Sequence, residues 1–351
     1  MTHPGQRVLV VGGRFGPLTP TEAGRAVGAA FAERAQVAVV GLAAGGPDLG
    51  RCLADLRGGR FVTVPGGWAS RGPGWLAVGL DPTAPLIGLD PTASSEALGR
   101  VLAAALDEGP VAEIVVDLTG LACHDAGAGL LAALGAAADR DLAGGATPLR
   151  GIAHVDLEPV RRRLDGGRLV GVVPAAESND LLLGLRGVTA RRGHPAGADP
   201  ALMLATDAAL ADFAAACAPE AAAAPGAGAA GGAGFAVLAL GGTLTTGTAL
   251  GAEAVDLPRT MRQADVVVAT CDALDVGNRG GEVIGELARR AEDAERPLVV
   301  LAAAVGISGR ELRTLGVESA HEVGVATGDP AAALRASAQR IATFWLRAAA
   351  P

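Results

Sequence analysis

The residues best suited to chemistry in this sequence lie in a glycine-rich loop that contains Asp125, Gly127 and Gly129. An apolar run at residues 114–116 precedes the loop, and leucines at helical spacing follow it in residues 126–138. The sequence therefore predicts a strand, a loop and a helix. Such loops can bind phosphate or carboxylate, because small residues let backbone N–H groups approach a ligand and a helix N-terminus favours anions. A crossover turn without a ligand fits the same spacing.

Few other residues form a catalytic pattern. His124 and Asp125 are adjacent and could act as a base and its orienting carboxylate, although neighbouring side chains usually point apart. Ser308 lacks the spacing of a nucleophile elbow, and the five histidines lack the spacing of metal ligands. The sequence offers no competing nucleophile or zinc site.

The elements that must position this loop predict an α/β fold. The chain has 351 residues, 50% of them hydrophobic, with 52 glycines and 3% aromatic residues, so its core must be built from Ala, Val and Leu. Strands are predicted at residues 8–11, 38–42, 114–116, 169–173, 265–269 and 297–304. Helices are predicted at residues 20–34, 48–56, 94–106 with Ser94 as N-cap, 126–138, 202–213, 281–294 and 331–346.

The order of these elements predicts two domains. A Rossmann-like, doubly wound parallel sheet begins at the N-terminus and is resumed by the C-terminal third of the chain. We therefore expect a discontinuous domain of residues 1–59 plus 255–351, with an inserted second α/β domain of residues 60–254. Residues 61–87 are rich in Gly and Pro, and residues 214–234 are either a flexible linker or an ordered turn into a helix.

Charge and cysteine usage limit the partners and the compartment. All 29 basic residues are arginines, which excludes lysine chemistry, and the net charge of −8 argues against a nucleic-acid partner. The four cysteines form no C-x-x-C pair, and the N-terminus has no signal or membrane-span pattern. These features predict a cytoplasmic protein with no membrane partner. They do not fix its oligomeric state, which could be a monomer or a homodimer.

Several stretches resemble the glycerate kinase family, the two-domain type that phosphorylates glycerate with ATP. Residues 225–232 read P-G-A-G-A-A-G-G and match the family motif residue for residue. Residues 119–130 match G-G-S-A-x-x-D-G-G-x-G-M at the aspartate and the last two glycines. Residues 270–283 match T-G-E-G-x-x-D-x-Q-[ST]-x-x-G-K-x at Thr270, Asp275 and Gly281. The resemblance extends over nearly the whole chain and implies the same two-domain fold.

The resemblance also implies an activity and a site. The expected reaction is phosphoryl transfer from ATP, with Mg²⁺, to a hydroxyl of D-glycerate or another small sugar acid. Arg14 or Arg279 would stand in for the missing lysines. The implied catalytic residues are Asp125, Glu177 and Asp275; the implied cofactor-binding residues are Gly127, Gly129, Gly226, Gly228, Gly231, Gly232 and Thr270; and the implied metal ligands are Asp180 and Asp272.

Departures from the family pattern predict weak turnover. Polar residues that would touch ligands are replaced at Gly13, Ala44, Pro47, Leu121, Ala196 and Glu282. Losing one charge-stabilising donor typically costs on the order of 10²- to 10³-fold in rate. One alternative is therefore a catalytically inactive family member that acts as a metabolite-binding or regulatory protein. A remote alternative is a dinucleotide-dependent enzyme, because Gly226, Gly228 and Gly231 also satisfy G-x-G-x-x-G, with Glu253 near the spacing of a ribose-binding acid.

Overall fold

The computed structural model describes residues 5–81, 88–324 and 328–346. The strands are β1 (Arg7–Gly12), β2 (Gln36–Gly41), β3 (Arg60–Val64), β4 (Gly67–Gly72), β5 (Trp75–Leu80), β6 (Glu113–Asp117), β7 (Ala137–Ala138), β8 (Val155–Asp156), β9 (Arg168–Val172), β10 (Thr243–Thr245), β11 (Val266–Asp275), β12 (Leu298–Gly306) and β13 (Ser319–Glu322). The helices are α1 (Pro20–Phe31), α2 (Gly46–Arg57), α3 (Glu96–Leu106), α4 (Ala128–Ala133), α5 (Glu158–Leu164), α6 (Val188–Gly193), α7 (Pro200–Cys217), α8 (Ala233–Ala239), α9 (Gly247–Ala254), α10 (Leu257–Gln263), α11 (Gly281–Asp293), α12 (Gly309–Thr314) and α13 (Pro330–Trp345).

The chain divides into two compact units. Unit 1 contains the residues up to Ala44 and from Thr248 onward, and unit 2 contains Gly45–Gly247. The sequence placed these boundaries after residues 59 and 254. At the first boundary the difference concerns α2, which packs on β3, β4 and β5 of unit 2. At the second it concerns most of α9, since residues 248–254 belong to unit 1.

Unit 1 is built on a five-stranded parallel sheet in the order β13-β12-β11-β1-β2. The chain leaves β1 in one direction toward β2 and then returns to β11 on the other side of β1, so the switch point of the topology lies between β1 and β11. Ligands of open α/β sheets bind in the crevice at such a point. The core includes Val10, Phe31, Val268 and Leu334. This unit confirms the predicted doubly wound sheet.

Unit 2 is also α/β, with a six-stranded sheet in the order β10-β9-β6-β5-β4-β3. The strand pairs from β10 to β5 are parallel, whereas the β5–β4 pair and the β4–β3 pair are antiparallel. Strands β3 to β5 were not predicted, because the glycines that form their tight turns make this stretch read as a loop. The predicted helix at residues 126–138 ends instead at Ala133, since Gly135 adopts a φ of 103°.

Helix α7 is the one helix in the described ranges that is long and apolar enough to cross a membrane by length and composition. In unit 2 it serves a structural purpose. Asp207 accepts a hydrogen bond from Gly184 N at 3.1 Å, Asp212 forms an ion pair with Arg150, and the Phe213 ring packs edge-on against Phe235. These contacts show that one side of α7 packs against the rest of unit 2.

Candidate functional site

The Asp125 carboxylate is buried in unit 2 and accepts four hydrogen bonds. Oδ1 accepts from Gly127 N at 2.9 Å. Oδ2 accepts from the backbone N and the hydroxyl of Ser95, both at 2.8 Å, and from Gly129 N at 3.1 Å. These donors lie at the N-termini of α3 and α4, where backbone N–H groups lack helical partners. Because the protein itself engages both oxygens, the geometry favours a positioning role for Asp125 over the role of a base.

Ser95, rather than the predicted Ser94, is the N-cap residue of α3. Its hydroxyl donates to Asp125 and accepts from Leu130 N at 2.9 Å, and so joins the two helices. The sequence missed this role because Ser94 and Ser95 are adjacent and both suit an N-cap.

His124 is buried beside Asp125 but makes different contacts. Its Nε2 lies 3.0 Å from Thr189 Oγ1, and its Nδ1 lies 3.5 Å from Arg192 Nη1. Burial, assisted by the charge of Arg192, lowers the pKa of His124 to about 3, so the ring is neutral at ordinary pH. The proposed pairing of His124 with Asp125 as base and orienter is therefore wrong: Thr189 and Arg192 orient this imidazole.

Residues 225–232 form an ordered turn that leads into α8 and is buried from Gly226 onward, which confirms the turn and excludes the flexible linker. Gly228 N donates to Asp180 O at 2.9 Å, and Ala126 N donates to Gly231 O at 3.4 Å. A Cβ at Gly228 would overlap the carbonyl oxygen of Leu181. A Cβ would likewise meet atoms of the protein itself at each of the predicted cofactor-binding glycines, which are Gly127, Gly129, Gly226, Gly228, Gly231 and Gly232. Close packing of loops is thus sufficient to explain these glycines.

The same turn lacks the context of a dinucleotide fingerprint. That fingerprint requires a strand directly before the glycines. Here a short 3₁₀ turn, Ala221–Ala223, precedes them. The dinucleotide interpretation therefore has no structural basis in this loop.

Glu177 and Asp180 lie in the loop that follows β9. Glu177 is half-buried, and its Oε2 accepts from Ala230 N at 2.7 Å, so it contacts the glycine-rich turn. The Asp180 side chain is buried and forms an ion pair with Arg191. A metal ion at Asp180 would have to compete with that guanidinium. Of the predicted catalytic groups in unit 2, Glu177 is the carboxylate with the fewest protein contacts.

Thr270 lies in the middle of β11 in unit 1, and Asp272 and Asp275 lie toward the carboxyl end of the same strand. The buried Thr270 hydroxyl accepts from Gly13 N at 3.0 Å and donates to Gly13 O at 2.8 Å, so it ties the β1 loop to β11. A Cβ at Gly13 would lie 2.5 Å from Thr270 O. The aspartate that the family pattern has there would not fit this backbone.

The two aspartates of β11 also bind neighbouring backbone. Asp272 is exposed and accepts from Gly16 N at 2.5 Å, whereas Asp275 accepts from Gly277 N at 2.9 Å and Asn278 N at 2.7 Å. These groups border the switch point between β1 and β11. Arg14 and Arg279 are exposed in the loops at the same edge.

The metal-binding capacity of these residues is limited. Within the described residues, no group of three or more His, Cys, Asp or Glu side chains is arranged to hold a metal ion. Mg²⁺ prefers oxygen ligands and is commonly bound by one or two carboxylates together with substrate phosphates. Asp272 and Asp275 have the required donor chemistry and retain solvent access. The residues therefore fit a magnesium ion that arrives with a nucleotide, and do not form an all-protein cage.

The predicted site residues fall into two sets. Asp125, Glu177, Asp180 and the six glycines belong to unit 2, where hydrogen bonds join their three loops. Thr270, Asp272 and Asp275 belong to unit 1. The sequence analysis missed the arginines around α6, namely Arg186, Arg191 and Arg192. Their clustering within a few residues was a usable signal, but only the fold shows that Arg191 meets Asp180 and that Arg192 donates to Cys123 O at 2.5 Å.

Comparison with known proteins identifies a matching family model and several relatives. Residues 76–350 match the model of the glycerate kinase family. An uncharacterized protein of Mycobacterium bovis is 30% identical over 253 residues, which cover 71% of this chain and 60% of that protein. A glycerate kinase of Haemophilus influenzae is 26% identical over 218 residues, which cover 60% of this chain and 57% of that enzyme. The chain thus spans about 60% of the length of the curated relatives that it matches.

A solved structure from Salmonella typhimurium LT2, provisionally named glycerate kinase 2, has the same fold. Its TM-score is 0.79 at 23% sequence identity, and the alignment covers 97% of this chain and 98% of that chain.

Proposed function

Because the chain belongs to the glycerate kinase family, we propose that it transfers a phosphoryl group from ATP to a hydroxyl of D-glycerate or a similar small sugar acid. This proposal rests on the contact between three motif loops in unit 2. The loops after β6 and β9 and the glycine-rich turn are joined by hydrogen bonds of Gly228 N, Ala126 N and the Glu177 carboxylate. They form a rigid frame with one carboxylate available for chemistry.

Glu177 is the group to which we assign the substrate hydroxyl. Phosphoryl transfer depends on positioning and on neutralising charge, and a carboxylate beside the attacking hydroxyl can orient it and accept its proton. Asp125 is saturated with hydrogen bonds and Asp180 is paired with Arg191. Glu177 forms no ion pair with another described residue, and Ala230 N fixes one of its oxygens. A fixed, half-buried carboxylate suits this role.

Asp272 and Asp275 are the groups to which we assign Mg²⁺ held by the nucleotide. A bound magnesium ion neutralises the charge on the phosphates. The exposed arginines Arg14 and Arg279 are the cations at the same edge of unit 1, and they replace lysines that the sequence lacks. An arginine fork differs in geometry from an ammonium, so the rate will fall well below that of a family member with the complete motifs.

A second candidate function is binding of a metabolite without turnover. The observation that favours it is the internal use of predicted ligand-binding groups, above all the Thr270 hydroxyl, whose proton and one of whose two acceptor lone pairs are used by Gly13.

The test is ADP release from the purified protein with ATP, Mg²⁺ and D-glycerate, with an established glycerate kinase assayed in parallel. Glu177→Gln should lower turnover on the order of 10²-fold, because proton transfer by a positioned group contributes at least that much. Glu220→Gln, an exposed change in the same unit, is the matched control and should leave the rate unchanged.

The outcomes separate the candidates. Turnover that depends on Glu177 supports the kinase. No ADP release while the established enzyme works would overturn it, and measured binding of D-glycerate in that case would support the non-catalytic function.

A further inference from the structure

An open cleft of about 680 Å³ lies beside α6 in unit 2. Its polar lining is formed by Asn179, Asp180, Arg186, Arg191 and His194, and Leu185 contributes apolar surface. We call this feature the α6 cleft. Small-molecule sites typically measure roughly 300–1,000 Å³ and combine apolar walls with a few polar groups. The cleft therefore has the size and lining of a site for a small polar ligand.

The charge in the α6 cleft is positive. Asp180 is only 7% exposed and is neutralised by Arg191, whose side chain is 49% exposed. Arg186 is exposed, and no hydrogen bond or ion pair to another described residue engages its guanidinium. One cation therefore remains uncompensated in a protein whose net charge is −8. Local positive potential of this kind attracts an anion, and the planar fork of an arginine matches the two oxygens of a carboxylate.

The wall of the cleft is held in place before any ligand binds. Asp180 O accepts a hydrogen bond from Gly228 N at 2.9 Å, and Asp180 N donates to Glu177 O at 2.9 Å. Arg191 is held by Asp180, and so the glycine-rich turn indirectly positions it. Preorganised groups of this kind bind at lower entropic cost.

We propose that the α6 cleft binds the carboxylate of the acid substrate, with Arg186 as the principal contact and Arg191 as the second. This inference rests on the proposed function and adds the site that recognises the acid. Asn179 and His194 supply polar atoms for the hydroxyls of the ligand. The cleft shares its loop with Glu177, whose carbonyl oxygen accepts the hydrogen bond from Asp180 N.

The chemistry recognised is an oxyanion on a small ligand, and a nucleotide phosphate has the same chemistry. Isothermal titration of the full chain with D-glycerate, glycerol, ATP with Mg²⁺, and inorganic phosphate separates these sources. The variants are Arg186→Gln, Arg186→Lys and the control Arg60→Gln, an exposed arginine of β3 in the same unit. Circular dichroism checks that each variant is folded.

The expected result is specific to the acid. Arg186→Gln should weaken D-glycerate binding on the order of tenfold or more, because hydrogen bonds to charged groups contribute that much. Arg186→Lys should keep part of the affinity, since it retains the charge but loses the fork. Arg60→Gln should match the wild type, ATP affinity should not change in any variant, and glycerol, which has no carboxylate, should bind weakly throughout.

Three results would overturn the inference: no binding of D-glycerate by the wild type, unchanged binding in Arg186→Gln, or a loss of ATP or phosphate affinity instead. The proposed function is tested separately. Acid binding through Arg186 without ADP release would support the acid site in the α6 cleft and refute the proposed kinase activity. ADP release with an unchanged KM for the acid in Arg186→Gln would support the proposed kinase activity and refute the acid site in the α6 cleft.

Discussion

At the scale of single residues, the Asp125 carboxylate joins two helix N-termini. Ser95 supplies two donors from α3, and Gly127 and Gly129 supply the other two around the start of α4. Charge-assisted hydrogen bonds are roughly twice as strong as neutral ones, and negative charge is favoured at the N-terminus of a helix. These surroundings suit a carboxylate that stabilises the fold better than one that acts as a general base.

This arrangement predicts a stability effect for Asp125→Asn. In the variant, the NH2 group of asparagine would replace one carboxylate oxygen and would face the N–H or O–H donors that this oxygen now accepts. The free energy of unfolding should therefore fall by about 3 kcal/mol or more. Urea unfolding of the full chain measures it. Asp141→Asn is the matched control, because Asp141 is exposed and accepts only from Ala143 N at 2.8 Å among its described contacts; its effect should stay within about 0.5 kcal/mol.

A catalytic role without a positioning role would give the opposite pattern. Turnover would be lost in Asp125→Asn while the unfolding curve stayed unchanged.

At the scale of elements, the glycine-rich turn before α8 is packed between two loops. Its residue Gly228 has no space for a side chain, since the carbonyl oxygen of Leu181 occupies the position of a Cβ. At Gly231, the carbonyl oxygen of Cys123 does the same. Steric crowding by backbone atoms cannot be relieved by a rotamer change, so the loops themselves would have to move apart.

Gly228→Ala should therefore destabilise unit 2 by at least about 2 kcal/mol. Gly120→Ala in the β6 loop is the control: no heavy atom lies within 4 Å of the point that its Cβ would occupy, and its change should stay within about 1 kcal/mol in either direction. Thermal unfolding followed by circular dichroism compares the two. Equal melting temperatures for both variants would show that the turn can open and that its glycines are free to serve a ligand.

At the scale of the whole molecule, unit 2 is one continuous segment with its own core. Helix α2 belongs to it through several contacts: Ser70 Oγ donates to Gly50 O at 2.8 Å, Gly46 N donates to Asp117 Oδ2 at 2.6 Å, and Arg57 pairs with Glu113 at 2.5 Å. The Arg57 guanidinium and that of Arg168 also hold the pKa of Glu113 below its usual value despite burial. A domain needs such a self-contained set of contacts to fold alone.

A fragment of residues 45–247 should therefore fold and unfold cooperatively in urea, monitored by tryptophan fluorescence. A fragment of residues 60–254, which follows the boundaries predicted from the sequence, lacks α2 and exposes Trp68, on which Gly50 packs. It should unfold with a lower midpoint or without a cooperative transition. Equal midpoints for both fragments would favour the sequence-based boundaries.

The sequence by itself determined the architecture and the family. Apart from β11, which extends to Asp275 beyond its predicted end at residue 269, the predicted helices and strands of unit 1 lie within a few residues of the observed ones. Apolar periodicity and caps such as Thr19 with Glu22 act over a few neighbouring positions. The motifs at residues 119–130 and 225–232 together pointed to the glycerate kinase family, which the match over residues 76–350 confirms.

Only the tertiary structure decided which polar atoms are engaged by the protein. Asp125 meets Ser95, Asp180 meets Arg191, and Thr270 meets Gly13, and each partner is set by the packing of separate elements. A local pattern specifies residue types and turns, whereas the availability of a carboxylate depends on donors brought to it from elsewhere in the chain. For that reason the sequence identified the loops of the candidate site, whereas the fold showed that Asp125, Asp180 and Thr270 in these loops are already engaged by other parts of the chain.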